Sequence, residues 1–213
     1  RFAPVNGNPS TFVWKTGLKD AGAYVFKAVA TDENNLNGGV DFNVFVNESD
    51  SNCKLYLPRI MSGCEIKEDT TFSPGTYAVP EGISIANDNV KLDCNGAVMD
   101  NTNPQDDSRG ITVVGRRNIE ISNCAVKNGM DGLYVERSSD IRVKNSLFSL
   151  MRENGVYVKD SSLLRLEGNT VTETQWGIRF ENVQQSLLLK NQINKNRNAQ
   201  LTLWSGSSNN NIT

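Results

Sequence analysis

The sequence predicts an all-β protein dominated by a parallel β-helix, or solenoid, of about six coils. Three observations carry this. A residue pattern of Gly followed by apolar-x-apolar recurs at Gly82, Gly110, Gly132, Gly155 and Gly177, and a related Gln200-Leu201-Thr202-Leu203 closes the series. The steps between these anchors are 28, 22, 23, 22 and 23 residues. Asparagine makes up 27 of the 213 residues, and asparagine favours turns and left-handed backbone over helix interiors.

Residues 1–47 read differently. Short β runs fall at residues 11–14, 23–31 and 40–46, joined by turn-rich connections at 17–22 and 32–39. Within the second run Tyr24, Phe26, Ala28 and Ala30 share one face. Residues 48–62 form a polar linker and lead-in that carries Cys53. Residues 63–213 read as the β-helix, with the repeats from Gly82 on.

Each repeat has the same layout. The glycine-anchored strand comes first. A second apolar pair follows: Val90/Leu92, Ile119/Ile121, Ile141/Val143 and Leu164/Leu166. The fifth repeat is ambiguous, because Leu187, Leu188 and Leu189 are consecutive. A third short strand follows an asparagine, at Asn95, Asn123, Asn145, Asn169 and Asn191. Period-two alternation three times per repeat gives three short strands per coil. Coils stacked at about 4.8 Å make a rod of about 29 Å. The long first step reflects a polar insertion near residues 102–109.

Two resemblances attach to these residues. Asp20-Ala21-Gly22-Ala23-Tyr24, followed by a strand closing on Ala30-Thr31-Asp32, resembles the late strands of bacterial and archaeal immunoglobulin-like modules. A complete sandwich needs about 100 residues and seven strands, so the resemblance implies a partial module or a small flanking sheet. The stretch from Ile66 to Phe72, together with the repeats from Gly82 onward, resembles the right-handed parallel β-helix family, in its NosD-type and carbohydrate-binding or sugar-hydrolase-like group. It covers about two thirds of the chain. It implies a right-handed coil and no single activity, because this repeat hosts lyases, hydrolases, epimerases, adhesins and surface-layer proteins.

Composition narrows the chemistry. The net charge is -2, which does not fit a nucleic-acid partner. Histidine is absent, which removes Ser-His-Asp and Cys-His catalysis and His-ligated zinc, copper or iron. The histidine-bearing site of the related epimerases and the usual histidine ligands of NosD-type copper handling are therefore missing. No stretch approaches the roughly 20 apolar residues of a membrane helix. The chain starts Arg1-Phe2-Ala3-Pro4 and ends Asn211-Ile212-Thr213, so both ends read as cut from a longer or processed protein.

The cysteines are Cys53, Cys64, Cys94 and Cys124. An even count in an exported chain favours disulfides. Cys53 with Cys64 would pin the lead-in. Cys94 and Cys124 fall in neighbouring coils but one residue out of register, which within a strand would point them to opposite faces. Buried free thiols are the alternative for that pair. The repeated asparagines suit hydrogen-bonded ladders, with glycan or metal contact as the alternative.

Two outward stripes run along the first strands: Thr112, Tyr134, Tyr157, Arg179, Thr202, and beside them Val114, Glu136, Lys159, Glu181, Trp204. Tyr134, Tyr157, Arg179 and Trp204 are candidate glycan contacts, and the alternative is a solvated face of cross-strand pairs. For catalysis, Glu136 and Glu181 would sit two coils apart, about 9.6 Å by stacking, with Lys159 between them. That is the edge of an inverting-glycosidase geometry, and a cation between carboxylates lowers their pKa. Polysaccharide lyases of the resembled fold use acidic clusters for calcium. Here Asp106 and Asp107, joined by Asp100 or Asp131, are the candidate calcium ligands, and no other cofactor is expected. Asn47 and Asn211 head glycosylation sequons.

The sequence thus points to an extracellular, surface-associated structural or interaction protein: an adhesin, filament or surface-layer component that contacts glycan. A polysaccharide lyase or glycoside hydrolase acting on the first-strand face is the alternative. Unpaired strand edges at the end of the stack point to further coils or self-assembly.

Overall fold

Repetition at 22 or 23 residues becomes, in space, one turn of a coil. The computed structural model of the chain describes the backbone strands Ala3–Val5, Asn8–Val13, Gly22–Thr31 and Asn37–Val46, then Cys53, Ile60, and residues 62–102 and 108–213. Two units divide the chain, Arg1–Ser51 and Asn52–Thr213.

The first unit holds two antiparallel pairs. Ala3–Val5 pairs with Asn8–Val13, and Gly22–Thr31 pairs with Asn37–Val46 in unbroken register from Gly22↔Val46 to Thr31↔Asn37. The side-chain packing that would define an immunoglobulin-like module lies outside the described residues.

The second unit is a parallel β-solenoid of about six turns, with no α-helix among the described residues. First strands stack in the order Glu65–Ile66, Ile83–Ile85, Arg109–Val114, Asp131–Glu136, Asn154–Ser162, Trp176–Gln184, Ala199–Trp204. Second strands stack from Thr70–Thr71 through Lys91–Asp93, Arg117–Ser122, Ser139–Lys144, Arg165–Glu167 and Leu187–Leu189 to Asn211–Ile212. Third strands form a six-stranded stack from Thr76–Ala78 to Gln192–Asn194.

Strict stacking puts like residues over like. Ile83, Ile111, Leu133, Val156 and Ile178 form one inward row, and Ile85, Val113, Val135, Val158 and Phe180 the next, all buried. The second strands add Leu92, Ile121, Val143, Leu166 and Leu188, and the third add Met99, Val126, Phe148 and Val171. Leu188 is the buried member of the Leu187-Leu188-Leu189 run, and its neighbours are half-exposed. Each such aliphatic side chain contributes about 1.5–3 kcal/mol on burial.

Corners use left-handed backbone. Asn123, Asn145, Gly168 and Lys190 occupy equivalent corners with φ of 55, 50, 65 and 52°. Asn89, Asn118, Asp140, Leu163, Gln185 and Asn209 line another corner, all with positive φ. Asn and Asp tolerate this conformation best, which explains part of the asparagine excess. Others form ladders. Ser146 N–H donates to Asn169 Oδ1 at 3.0 Å, and Asn169 N–H donates to Asn191 Oδ1 at 3.0 Å. Thr174 N–H donates to Asn196 Oδ1 at 3.1 Å in the same manner. Backbone groups freed at each turn thereby find partners one coil away.

Both cysteine pairs are disulfides, with Cα–Cα distances of 5.1 Å for Cys53–Cys64 and 4.8 Å for Cys94–Cys124. The register offset does not separate the second pair. Cys94 follows Lys91–Asp93 and Cys124 precedes Ala125–Lys127, so both stand at a corner, where strand alternation does not apply.

Candidate functional site

The first-strand face concentrates the aromatic and charged side chains singled out in the sequence. Register places Thr112, Tyr134, Tyr157, Arg179 and Thr202 in one row, and Val114, Glu136, Lys159, Glu181 and Trp204 in the next. Parallel pairing without slip aligns them, since one slipped residue would turn each row inward.

The rings pack against one another and against arginine. Tyr134 and Tyr157 meet edge to face with centroids 5.5 Å apart. The Arg109 guanidinium lies 3.5 Å from the Tyr134 ring centroid. Arg179 lies 4.8 Å from the Tyr157 centroid and 3.8 Å from that of Trp204. Cation–π contacts of this kind contribute about 0.5–2 kcal/mol each. Tyr134 is consequently only 6% exposed, so it is an internal layer of the face and not an outward contact. Trp204, at 45%, is the most open ring of the set.

The carboxylates are tied into this ladder. Tyr134 Oη donates to Glu136 at 3.0 Å, and Tyr157 Oη donates to Glu181 at 2.7 Å. Arg137 pairs with Glu136 at 3.3 Å, while Lys159 and Arg179 both approach Glu181 at 3.6 Å. The Tyr157 hydrogen bond, then Lys159 and Arg179, hold the Glu181 carboxyl below its usual pKa. Burial, followed by the hydrogen bonds to the carboxylates, raises both tyrosine hydroxyls. Lys159 stands between Glu136 and Glu181 in register.

Arg109 was not among the sequence candidates. It precedes the anchor Gly110, in a row continued by Asp131, Asn154 and Trp176. Nothing in the repeat pattern marks it, because its side chain starts at the first residue of Arg109–Val114 and reaches over Tyr134 of the next coil. Asp131 beneath it is buried, accepts from Asn154 Nδ2 at 2.7 Å and meets Arg109 Nε at 3.5 Å. Burial pushes its carboxyl pKa up.

Of the calcium candidates, Asp106 and Asp107 lie outside the described residues. Asp100 is surrounded by donors: Asn128 Nδ2 at 3.0 Å, Thr102 Oγ1 at 2.6 Å and Lys127 Nζ at 3.2 Å. These hold its carboxyl well below the usual range, Asn128 contributing most. Asn47 also lies outside the described residues, and Asn211 is exposed on the last second strand. A groove of about 360 Å³ lies away from the ladder, along the corner between second and third strands, lined by Gly96, Asn123, Ala125, Ser146, Leu147 and Gly168. It offers no charged group.

Stack, register and ladder define the class: a parallel β-solenoid carrying an arginine–aromatic strip on its first-strand face. A family model described as "Periplasmic copper-binding protein (NosD)" matches residues 45–213, so the chain belongs to the NosD family. No curated protein and no solved structure matches the chain. Two disulfides fit a periplasmic or extracellular setting.

The family description raises copper, and the imidazole and thiolate donors that such a site draws on are missing here. Copper sites draw on imidazole, thiolate and thioether ligands. The chain has no histidine, its four cysteines are all in disulfides, and its remaining soft donors are the thioethers of four methionines, of which Met99 and Met151 are buried. Among the described residues no group of three or more Cys, Asp or Glu is placed to hold a metal. No helix among them is long and apolar enough to cross a membrane.

Proposed function

We propose that this chain is an exported structural and interaction protein of the cell exterior, whose first-strand face lies along a glycan. The observation that carries the reading is the in-register strip of Tyr157, Arg179 and Trp204 flanked by Glu136, Lys159 and Glu181. Aromatic faces suit sugar rings, and fixed charged groups suit hydroxyls and carboxylates. The coil sense in this reading is right-handed, as parallel crossovers overwhelmingly are. An adhesin, filament or surface-layer component is the expected context. The role assigns no copper to the solenoid's own side chains.

Glycoside cleavage fits less well. A general acid needs a raised pKa, and Glu181 is held ionised by Tyr157, Lys159 and Arg179. Incubation with a panel of polysaccharides, with and without calcium, is expected to give no shortened products. Product formation that Glu136→Gln abolishes would overturn the binding role. A glycan array should show signal that Trp204→Ala weakens, and an array with no signal would remove the glycan.

One observation favours a second reading, end-on association. In the last coil the inward rows continue as Leu201, Leu203 and Ile212. Leu203 and Ile212 are exposed, whereas Phe180 and Leu188 below them are buried. A further coil of the same pattern, from following residues or from a second copy, would cover them. Where a second copy supplies that coil, native mass measurement should show oligomers that Leu203→Glu dissociates, and a strictly monomeric species would refute the second copy.

A further inference from the structure

Each ring of the first-strand strip carries a guanidinium, so its face is only partly open to a neutral sugar. Arg109 lies on Tyr134, and Arg179 lies against both Tyr157 and Trp204. A pyranose stacking on the guanidinium-covered face of any of these rings would first have to displace that group. The guanidiniums themselves are under-used as donors. Arg109 meets Asp131 only at 3.5 Å and Arg179 meets Glu181 only at 3.6 Å, longer than the roughly 2.7–2.9 Å of a full charge-assisted hydrogen bond. The Nε atoms of both are buried without a hydrogen-bond partner among the described residues. Their side chains still reach the surface, at 36% and 17% exposure. Lys159 stands in register between their coils.

We infer that the glycan taken by this face is an acidic one, a chain of carboxylated sugars such as a polyuronate, with Arg109 and Arg179 as the carboxylate-binding residues. The inference rests on the glycan reading above and narrows its ligand class. A planar guanidinium presents parallel donors that match a carboxylate in bidentate fashion, and stacking on an aromatic ring fixes that plane in advance. Ring and arginine thus act together: the aromatic residues orient the guanidiniums, and the guanidiniums bind. Arg109 and Arg179 stand three coils apart in the stack, about 14 Å at the coil spacing. One uronate cannot engage both, so the ligand is an oligomer running along the coil axis.

The test uses the 213-residue protein in affinity electrophoresis and titration calorimetry. The probes are polygalacturonate, the same polymer fully methyl-esterified, and poly-L-glutamate as a polyanion without sugar. Binding to polygalacturonate is expected, weakened by salt, with the ester at least about tenfold weaker. Arg109→Gln and Arg179→Gln should each weaken binding about tenfold. Arg179→Lys, which keeps charge and loses the fork, should fall with them. Thermal melts of each variant establish that the fold persists, and a variant that fails to fold is replaced by Arg109→Lys, which leaves the stacking position occupied. Equal affinity for acid and ester would overturn the acidic specificity and leave the glycan reading standing. Equal affinity for poly-L-glutamate would reduce the strip to a generic anion surface and overturn the inference. No binding to either polysaccharide would overturn both.

Discussion

Asn169 shows how much one buried side chain does in a stacked coil. Its Oδ1 accepts from Ser146 N–H, and its Nδ2 donates to Val143 O at 2.9 Å and to Asn191 Oδ1 at 3.0 Å. Asn169→Ala leaves these groups buried and unpaired, so a loss of about 1–3 kcal/mol is expected in urea denaturation. An unchanged midpoint would contradict the ladder. Two aspartates set opposite pH trends. The folded pKa of Asp100 is depressed, so its contribution is present above its unfolded pKa of about 3.9 and fades as pH falls below it. Asp100→Asn should therefore destabilise at pH 7, with the penalty shrinking toward pH 3. Asp131 has a raised pKa, so its contribution is full below the unfolded value and is lost as pH rises through the folded one. The difference between parent and Asp131→Asn should move in favour of the variant across that rise. Parallel pH profiles for the two variants would remove this assignment.

At the level of strands and corners, two kinds of glycine separate. A Cβ on Gly132 would lie 2.6 Å from Gly155 O and 2.8 Å from Phe148 Cδ1, so Gly132→Ala forces neighbouring coils apart. Overpacking of this kind costs about 1–3 kcal/mol. Gly115 has open space around it and a φ of +65°. Its row continues as Arg137, Asp160 and Asn182, all left-handed. Gly115→Asn should be close to neutral, and a thermal-melt comparison of the two variants checks the distinction. The Cys94–Cys124 bridge spans 30 residues, and loop entropy alone makes it worth about 3–4 kcal/mol. Cys94→Ala with Cys124→Ala should lower the melting temperature accordingly, and a smaller change would mean that corner packing already holds the coils.

For the whole molecule, each coil of the solenoid touches chiefly the coil above and the coil below, so stability accumulates by neighbour interfaces. Copper finds neither imidazole nor free thiolate in this array. Competition with a Cu(I) indicator under non-reducing conditions should show no stoichiometric uptake, and chelation should leave the melting curve unchanged. Tight uptake of one equivalent would overturn the donor argument. Much of this architecture was legible beforehand. The anchor glycines, the alternating apolar pairs and the corner asparagines are local signals repeated five or six times, and stacking makes them mutually consistent. Leu187-Leu188-Leu189 could not be phased alone, because three leucines carry no alternation, and only the coil beneath selected Leu188. The strip was legible as two rows of residue types. Its internal contacts were not, because the position of Arg109 over Tyr134 depends on how one long side chain crosses to the next coil.

The sequence by itself determined the coil period, the inward rows apart from Leu188, and the membership of the outward rows, because a strict repeat fixes which residues stack. Tertiary structure decided which groups on that face are free to act. It buried Tyr134, capped the rings with Arg109 and Arg179, tied Glu181 to Tyr157, and joined Cys94 to Cys124 across a register offset. The physical reason is that spacing along a chain sets rows and faces, whereas contacts at corners and between long side chains depend on distances that only the stacked coils supply.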